Sequence, residues 1–348
     1  MSFFKEQQGA AVIKHGILRR YLPIFTRKTG STAPGARVVY LDGYAGPGAY
    51  DDGTPGSPIL AAATAEMLQE TRRLRCLYVE RSRIYCDRLN SELAKHSHDF
   101  RVLHGSIEDR LDECLVEARG SPLLAFFDPF GLGLPFRDLV DKVLSRPRWP
   151  ATEVLLNFSF PGLQRNAGKV DPERSGWMDD KLGGSGWWPL WEGDAADRET
   201  QVAAWFVDRI RQAAGEAWSN WMVPVTKRLG GPPVYCLILL TRHPDGMWHF
   251  YDCIAGGMED FREFCLGGQL ELGGDDLWVP EIKRNVTQLL EKEGAFDLAN
   301  RLADVLGSGL GRARTRCIRQ AIKELPGQVV GDALPPDARE DLLQLPGE

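Results

Sequence analysis

Asp42, Glu80 and Asp128 each close an apolar run, and each is followed by residues that break it. An apolar run ending in a carboxylate fits a buried parallel strand that delivers an acid to the ligand edge of an α/β sheet. After Asp42 the chain reads Gly43-Tyr44-Ala45-Gly46-Pro47-Gly48, a tight loop in which Gly46 and Gly48 let backbone approach a ligand closely. A dinucleotide or a nucleoside triphosphate needs a nest of N–H donors around phosphate. Here Gly46-x-Gly48 lacks a third glycine in register, Pro47 removes a donor, and Asp51 and Asp52 would repel pyrophosphate. No G-x-x-x-x-G-K-[ST] occurs anywhere in the chain. S-adenosylmethionine (SAM) carries an ammonium and a sulfonium and no phosphate, so a carboxylate-rich loop suits it. The expected cofactor contacts are Asp42, Gly43, Ala45, Gly46, Pro47, Gly48 and Ser57, with Glu80 accepting from the ribose hydroxyls and Ser106 and Ile107 near the adenine. A strand–turn without any ligand is the alternative.

The second candidate is Asp128-Pro129-Phe130, at the end of the all-apolar run Leu123–Phe127. Methyl transfer is an in-line displacement, so an enzyme must hold the nucleophile behind the reactive carbon. An exocyclic amine has its lone pair tied into the π-system of its base. The Asp128 carboxylate and the Pro129 carbonyl, accepting its two N–H bonds, would turn that nitrogen toward tetrahedral geometry. Phe130 would stack on the base, and the proton can leave after transfer, so no strong general base is required. Lys14, His15 and Tyr50 are further candidates for substrate contact, with Lys14-His15 a possible proton shuttle. A plain strand end with a turn is the competing reading.

Positioning these groups requires a succession of strands and helices. A basic amphipathic helical arm covers 1–36, with Lys5, Lys14, Arg19, Arg20, Arg27 and Lys28 against Glu6. Residues 37–255 read as a SAM-methyltransferase-like domain. Its expected strands are 38–42, 74–80, 100–104, 123–127 and 153–158, with helices over 58–70, 81–95 and 199–214. Ser57 is the expected N-cap ahead of Pro58. The runs 234–241 and 247–254, joined through Asp245-Gly246, predict a closing antiparallel hairpin. Residues 161–198, holding Trp177, Trp187, Trp188 and Trp191, read as an irregular insertion: a lid, a binding segment or a small satellite core. Residues 256–348 form a helical C-terminal region, with helices near 280–293 and 295–306, a basic helix over 311–325 and a Pro- and acid-rich tail from Pro335.

Composition sets the outer bounds. The chain has 348 residues, 43% apolar and 26% charged, enough for one large α/β domain and an appendage. Its net charge of −6 confines any nucleic-acid contact to local patches. Seven cysteines without a C-x-x-C pair fit reduced core thiols, not a disulfide framework or a zinc site, so no metal is expected. With no leader pattern and no apolar run near 18 residues, no membrane span is expected and the cytoplasm is the expected compartment.

Several of these pieces together resemble the three-Cys-motif partner (TcmP) family. They are Lys14-His15-x-Ile17-Leu18-x-x-Tyr21-Leu22, Leu41 through Gly48, Gly56-Ser57-Pro58, Asp128-Pro129-Phe130-Gly131 and Tyr235 through His243. The resemblance spans most of residues 10–255. It implies a Rossmann-like class I methyltransferase sheet, mostly parallel with a closing antiparallel hairpin, and association with a protein bearing a three-cysteine, metal-cluster motif. Asp128-Pro129-Phe130 is also similar to the Asp-Pro-Pro-Tyr motif of amino methyltransferases acting on adenine in nucleic acid, although here the second proline is absent and the aromatic comes one position early. The expectation is therefore a SAM-dependent methyltransferase acting on an amino nitrogen of a nucleobase or nucleoside-like substrate. The alternatives are a non-catalytic subunit that positions a cysteine-cluster partner through 177–191, and a metal-dependent nuclease using Asp42, Glu80 and Asp128.

Overall fold

The structure is a computed structural model that describes residues 9–168, 176–193, 196–215, 217–267, 277–298, 301–325 and 342–344. Lys5, Glu6, parts of the Trp-rich insertion and nearly all of the tail from Pro335 lie outside the described residues. The chain divides into two units, Met1–Arg242 and His243–Glu348.

In the first unit, helix α1 (Gly9–Gly30) precedes strand β1 (Arg37–Asp42). Helix α2 (Ser57–Leu68), strand β2 (Arg73–Glu80), helix α3 (Arg83–Leu93), strand β3 (Asp99–His104) and helix α4 (Ile107–Glu117) follow. Strand β4 (Leu123–Phe127) and strand β5 (Thr152–Ser159) flank a π-helical segment, Asp138–Leu144. Strand β1 pairs in parallel with β2 on one side and β4 on the other, with Asp42 opposite Tyr78 and Phe126. Val38 through Asp42 are all buried, which explains the unbroken apolar run: helices cover both faces. From β1 the chain winds outward to β2 and β3, then returns to β4 and β5. The crevice between β1 and β4 is therefore a topological switch point, where open α/β sheets bind ligands.

The Trp-rich insertion is more regular than its composition suggests. It contains helices α5 (Phe160–Ala167), α6 (Gly176–Leu182) and α7 (Trp187–Glu192), ahead of α8 (Arg198–Ala214). Trp187 is fully buried and donates from Nε1 to Asp179 at 2.8 Å, and Trp188 and Trp191 pack against the same core. Arg198 stacks over Trp191 at 4.2 Å, leaving Trp177 as the exposed member of the expected four. The satellite-core alternative describes this segment better than an irregular lid.

The closing hairpin exists, but its partner strand differs from the expectation. Strand β6 (Ser219–Thr226) pairs antiparallel with β7 (Pro233–Thr241), and β7 pairs antiparallel with β5, completing the order β3-β2-β1-β4-β5-β7-β6. This is the mostly parallel, Rossmann-like sheet of class I methyltransferases. Residues 247–254 are instead inside helix α9 (Pro244–Cys265), the first element of the second unit. His243 is the N-cap, its ring accepting from Asp245 N–H at 3.2 Å, and Pro244 opens the helix. Asp245-Gly246 therefore lies in a first helical turn, and the buried Trp248, Tyr251 and Ile254 recur at helical spacing. Strand β6 escaped notice because Pro224 interrupts it, tolerable on an edge strand where that residue faces solvent.

The second unit continues with α10 (Val279–Glu293), a short strand β8 (Ala295–Asp297), α11 (Leu302–Leu306) and α12 (Thr315–Lys323), with Leu342–Gln344 (β9) pairing with β8. The expected helix 295–306 is thus part strand, and the expected basic helix begins later, at Thr315. Gly311 has a left-handed φ of 73°, and Arg314 caps the helix, so 311–313 form a turn. Six of the seven cysteines are buried, and Cys265 is exposed. No helix of the described residues is long and apolar enough to cross a membrane.

Candidate active site

The loop after β1 is held by its own backbone. Gly43 N–H donates to the Phe126 carbonyl at 2.9 Å and Ala45 N–H to the Val79 carbonyl at 3.0 Å, stitching the loop to both neighbouring strands. A Cβ on Gly43 would fall 2.6 Å from Phe127 Cδ1, so only glycine fits there. Gly46 and Gly48 take left-handed φ of 63° and 88°. Gly56 is the actual N-cap of α2, and Ser57 is its first helical residue rather than the cap. Gly56 N–H donates to the Gly48 carbonyl at 2.8 Å, closing residues 49–55 into a small hairpin. Arg88 on α3 pins that hairpin, pairing with Asp51 at 2.7 Å and donating to the Ala49 and Tyr50 carbonyls. The Asp51 charge is thus matched from within.

Glu80 faces this loop. One carboxylate oxygen accepts from Gly46 N–H at 2.9 Å and the other from Ser82 N–H at 2.6 Å. A carboxylate has about four acceptor positions, so roughly two remain for a ligand diol. Asp42 is fully buried and lines neither cavity described below. It accepts from Tyr44 N–H at 3.2 Å, from the Tyr40 hydroxyl at 3.3 Å and from Ser57. Burial pushes its carboxyl up to about 7, against the pull of these donors, with Asp128 adding a smaller push in the same direction. Ser106 serves as the N-cap of α4, accepting from Asp109 N–H at 3.3 Å, and Ile107 is buried beside Gly43. The first therefore shapes the turn after β3 and the second the floor of the loop.

Asp128 lies one residue past β4 and is partly accessible. One oxygen pairs with Lys14 Nζ of α1, and the other accepts from Asn157 Nδ2 of β5 at 2.6 Å. Lys14, one of the cations of the basic helical arm, is therefore buried and turned inward. His15 is buried beside Tyr50, ring centroids 6.1 Å apart, and desolvation, helped by the Lys14 charge, lowers its pKa to about 3. It stays neutral at neutral pH, which removes it as a charged proton donor there.

Two cavities meet at these residues. The smaller, about 30 Å³, lies against the glycine loop and is bordered by His15, Ala45, Pro47, Gly48 and Ser57. The larger, about 360 Å³, opens over Asp128-Pro129-Phe130 and is bordered by Asn157, Arg165, Lys227 and Tyr235. Lys14, Tyr50, Asp128 and Phe130 wall both. Pro129 is buried and Phe130 stands at the rim, 54% exposed. Sequence reasoning overlooked Asn157, Arg165, Lys227 and Tyr235. Asn157 carried a signal, as the one amide within the otherwise apolar run Val154–Phe158. The other three become neighbours only through the sheet.

The glycine cradle, with the Glu80 carboxylate beside it, suits a hydroxyl-bearing adenosyl ligand. The site does not fit a metal centre. Among the described residues no group of three or more His, Cys, Asp or Glu side chains could hold an ion. Asp42 is committed to its own loop, so the nuclease alternative lacks a ligand set.

The chain matches no protein-family model and no curated protein. Among solved structures it is similar to cofactor-bound Rv0187 from MTB, at 13% identity and a TM-score of 0.32, over 63% of this chain and 77% of that one. It is also similar to a Klebsiella pneumoniae protein described as a candidate O-methyltransferase, at 14% identity and a TM-score of 0.34, over 69% of this chain and 91% of that one. The fold itself is carried by the strand order and by the antiparallel β7.

Proposed function

We propose that the chain is a SAM-dependent methyltransferase acting on an amino nitrogen of a nucleobase or nucleoside-like substrate. The observation that carries this reading is the pair of adjoining cavities, one against the glycine loop and one over Asp128-Pro129-Phe130, which share Lys14, Tyr50, Asp128 and Phe130 as a common wall. SAM, when bound, supplies an electrophilic methyl group. Gly46 through Gly48 and Ser57 provide the cradle, and Glu80 offers its two remaining acceptor positions to hydroxyls. Asp42 acts from beneath, fixing Tyr44 and Ser57 and placing a titratable carboxyl under the loop.

On the substrate side, Lys14 and Asn157 hold Asp128 in one orientation while leaving each oxygen a further acceptor position. An amine N–H can donate there, with the Pro129 carbonyl as second acceptor and Phe130 as stacking face. The nitrogen lone pair so exposed would accept the methyl group that SAM supplies, leaving S-adenosylhomocysteine, and the extra proton on nitrogen would pass to solvent. Transfer of tritium from methyl-labelled SAM to nucleosides and nucleic acid tests this. Asp128→Ala should retain SAM binding and lose transfer, and undiminished turnover would remove Asp128 from the mechanism.

The motif resemblance to the TcmP family supports a further proposal, that the chain associates with a three-cysteine, metal-cluster protein. Co-purification that survives Asp128→Ala, with no transfer by the wild type, would favour a non-catalytic partner role instead.

A further inference from the structure

The charge around the larger cavity is one-sided. Its carboxylate, Asp128, is matched by Lys14. Two further cations border the cavity without a carboxylate of their own. Arg165 of α5 donates to the Phe130 carbonyl at 2.7 Å, an uncharged partner, and Lys227, just past β6, has no ion-pair partner among the described residues. The walls between them are aromatic: Tyr50, Phe130 and Tyr235. On the floor, Asn157 is more than nine-tenths buried. Its Nδ2 donates to Asp128, so this amide holds the carboxylate in place on the floor of the cavity.

We infer that this cavity takes a flat aromatic or heteroaromatic molecule that carries an anionic group. The ring lies among the three aromatic side chains, and the anion faces Arg165 and Lys227. This deepens the methyltransferase reading and rests on it for the claim that the ligand is the methyl acceptor. The binding claim stands on the cavity alone. A volume near 360 Å³ lies at the lower end of small-molecule sites and admits a ring system with one charged substituent. A nucleoside monophosphate and an aromatic carboxylic acid share this chemistry.

Calorimetric titration of the full chain with matched pairs tests the inference: adenosine 5′-monophosphate against adenosine, and benzoate against benzamide. At least one anion should bind about tenfold more tightly than its neutral counterpart, the scale of one charge contact near a protein surface. The pair that shows the preference identifies the source of the anion. Lys227→Glu should erase the preference and the milder Lys227→Gln should reduce it, while Arg165→Glu should erase the preference and also weaken the neutral ligand, because Arg165 donates to the Phe130 carbonyl. SAM is titrated against the same proteins. Retained SAM binding shows that the variants fold, and lost anion preference with intact SAM binding separates the two sites. Absent SAM binding with the anion preference intact would sink the methyltransferase reading while leaving this cavity's ligand class standing. Equal affinity within both pairs, or a preference untouched by the charge reversals, would overturn the inference.

Discussion

The glycine loop and the cavity over Asp128 lie side by side at one edge of the sheet, yet they are built in opposite ways. The loop is made of neighbours in sequence and held by backbone hydrogen bonds to Phe126, Val79 and Gly48. Its tolerances are a few tenths of an ångström. The cavity is assembled from α1, β4, β5, α5 and β7, and its central contact, Lys14 with Asp128, spans 114 positions of chain. Its walls are side chains, and part of it opens to solvent. A stretch fixed by backbone suits a constant ligand, whereas a side-chain pocket can be retuned for substrate without disturbing the fold.

The loop side also holds two buried titratable groups with opposite leanings, and these give the largest expected effect. His15, on the wall of the smaller cavity, has its pKa lowered from 6.5 to about 3. Between those values the unfolded chain binds more protons, so its contribution to stability is lost as pH falls from 6.5 toward 3. Asp42 is raised from 3.8 to about 7, so the folded chain binds more protons in that interval and stability is lost as pH rises through it. Each is worth on the order of 4 kcal/mol over its full range. The two largely cancel between pH 4 and 6.5. His15→Phe should therefore make the protein more stable toward acid, and Asp42→Asn should make it less so, as read from denaturant midpoints across pH. Identical pH profiles for both variants would break the contrast.

Asp128→Ala comes next. It should reduce methyl transfer by about a hundredfold, near 3 kcal/mol in the barrier, in a tritium assay that leaves SAM affinity within about twofold. A comparable loss of SAM affinity would mean that the two regions are not separable. Gly43→Ala forces a methyl group against Phe127 and should cost about 2 kcal/mol in urea unfolding. By contrast, a Cβ at Gly131, beside Phe130, meets nothing within 4 Å, so Gly131→Ala should stay within about 0.5 kcal/mol of wild type. If both changes cost the same, the loop would not be the stiffer region.

The same contrast explains what could be read before the structure. The strand-end acids, the glycine loop and six of the seven sheet strands follow from local patterns, and they are where expected. The closing hairpin was misassigned because Asp245-Gly246 looks identical as a hairpin turn and as the first turn of a helix with a His243 cap. Pro224 hid the edge strand that in fact pairs with β7. Lys14 is legible as a candidate contact but not as the partner of Asp128, because nothing in the helical arm reveals that Asp128 waits beneath it. Arg165, Lys227 and Tyr235 carry no local sign of the cavity, since only strand pairing across β5, β7 and β6 brings them together.

The central claim is that the cradle between β1 and β2 takes a cationic adenosyl ligand without phosphate. Titrating the intact chain with SAM, with NAD as the phosphate-bearing control, tests it most directly. Saturable one-to-one SAM binding, weakened about tenfold by Glu80→Gln through loss of a charge-assisted acceptor, with no heat from NAD, is the predicted result. No SAM binding, or NAD binding as tight as SAM, would contradict the account.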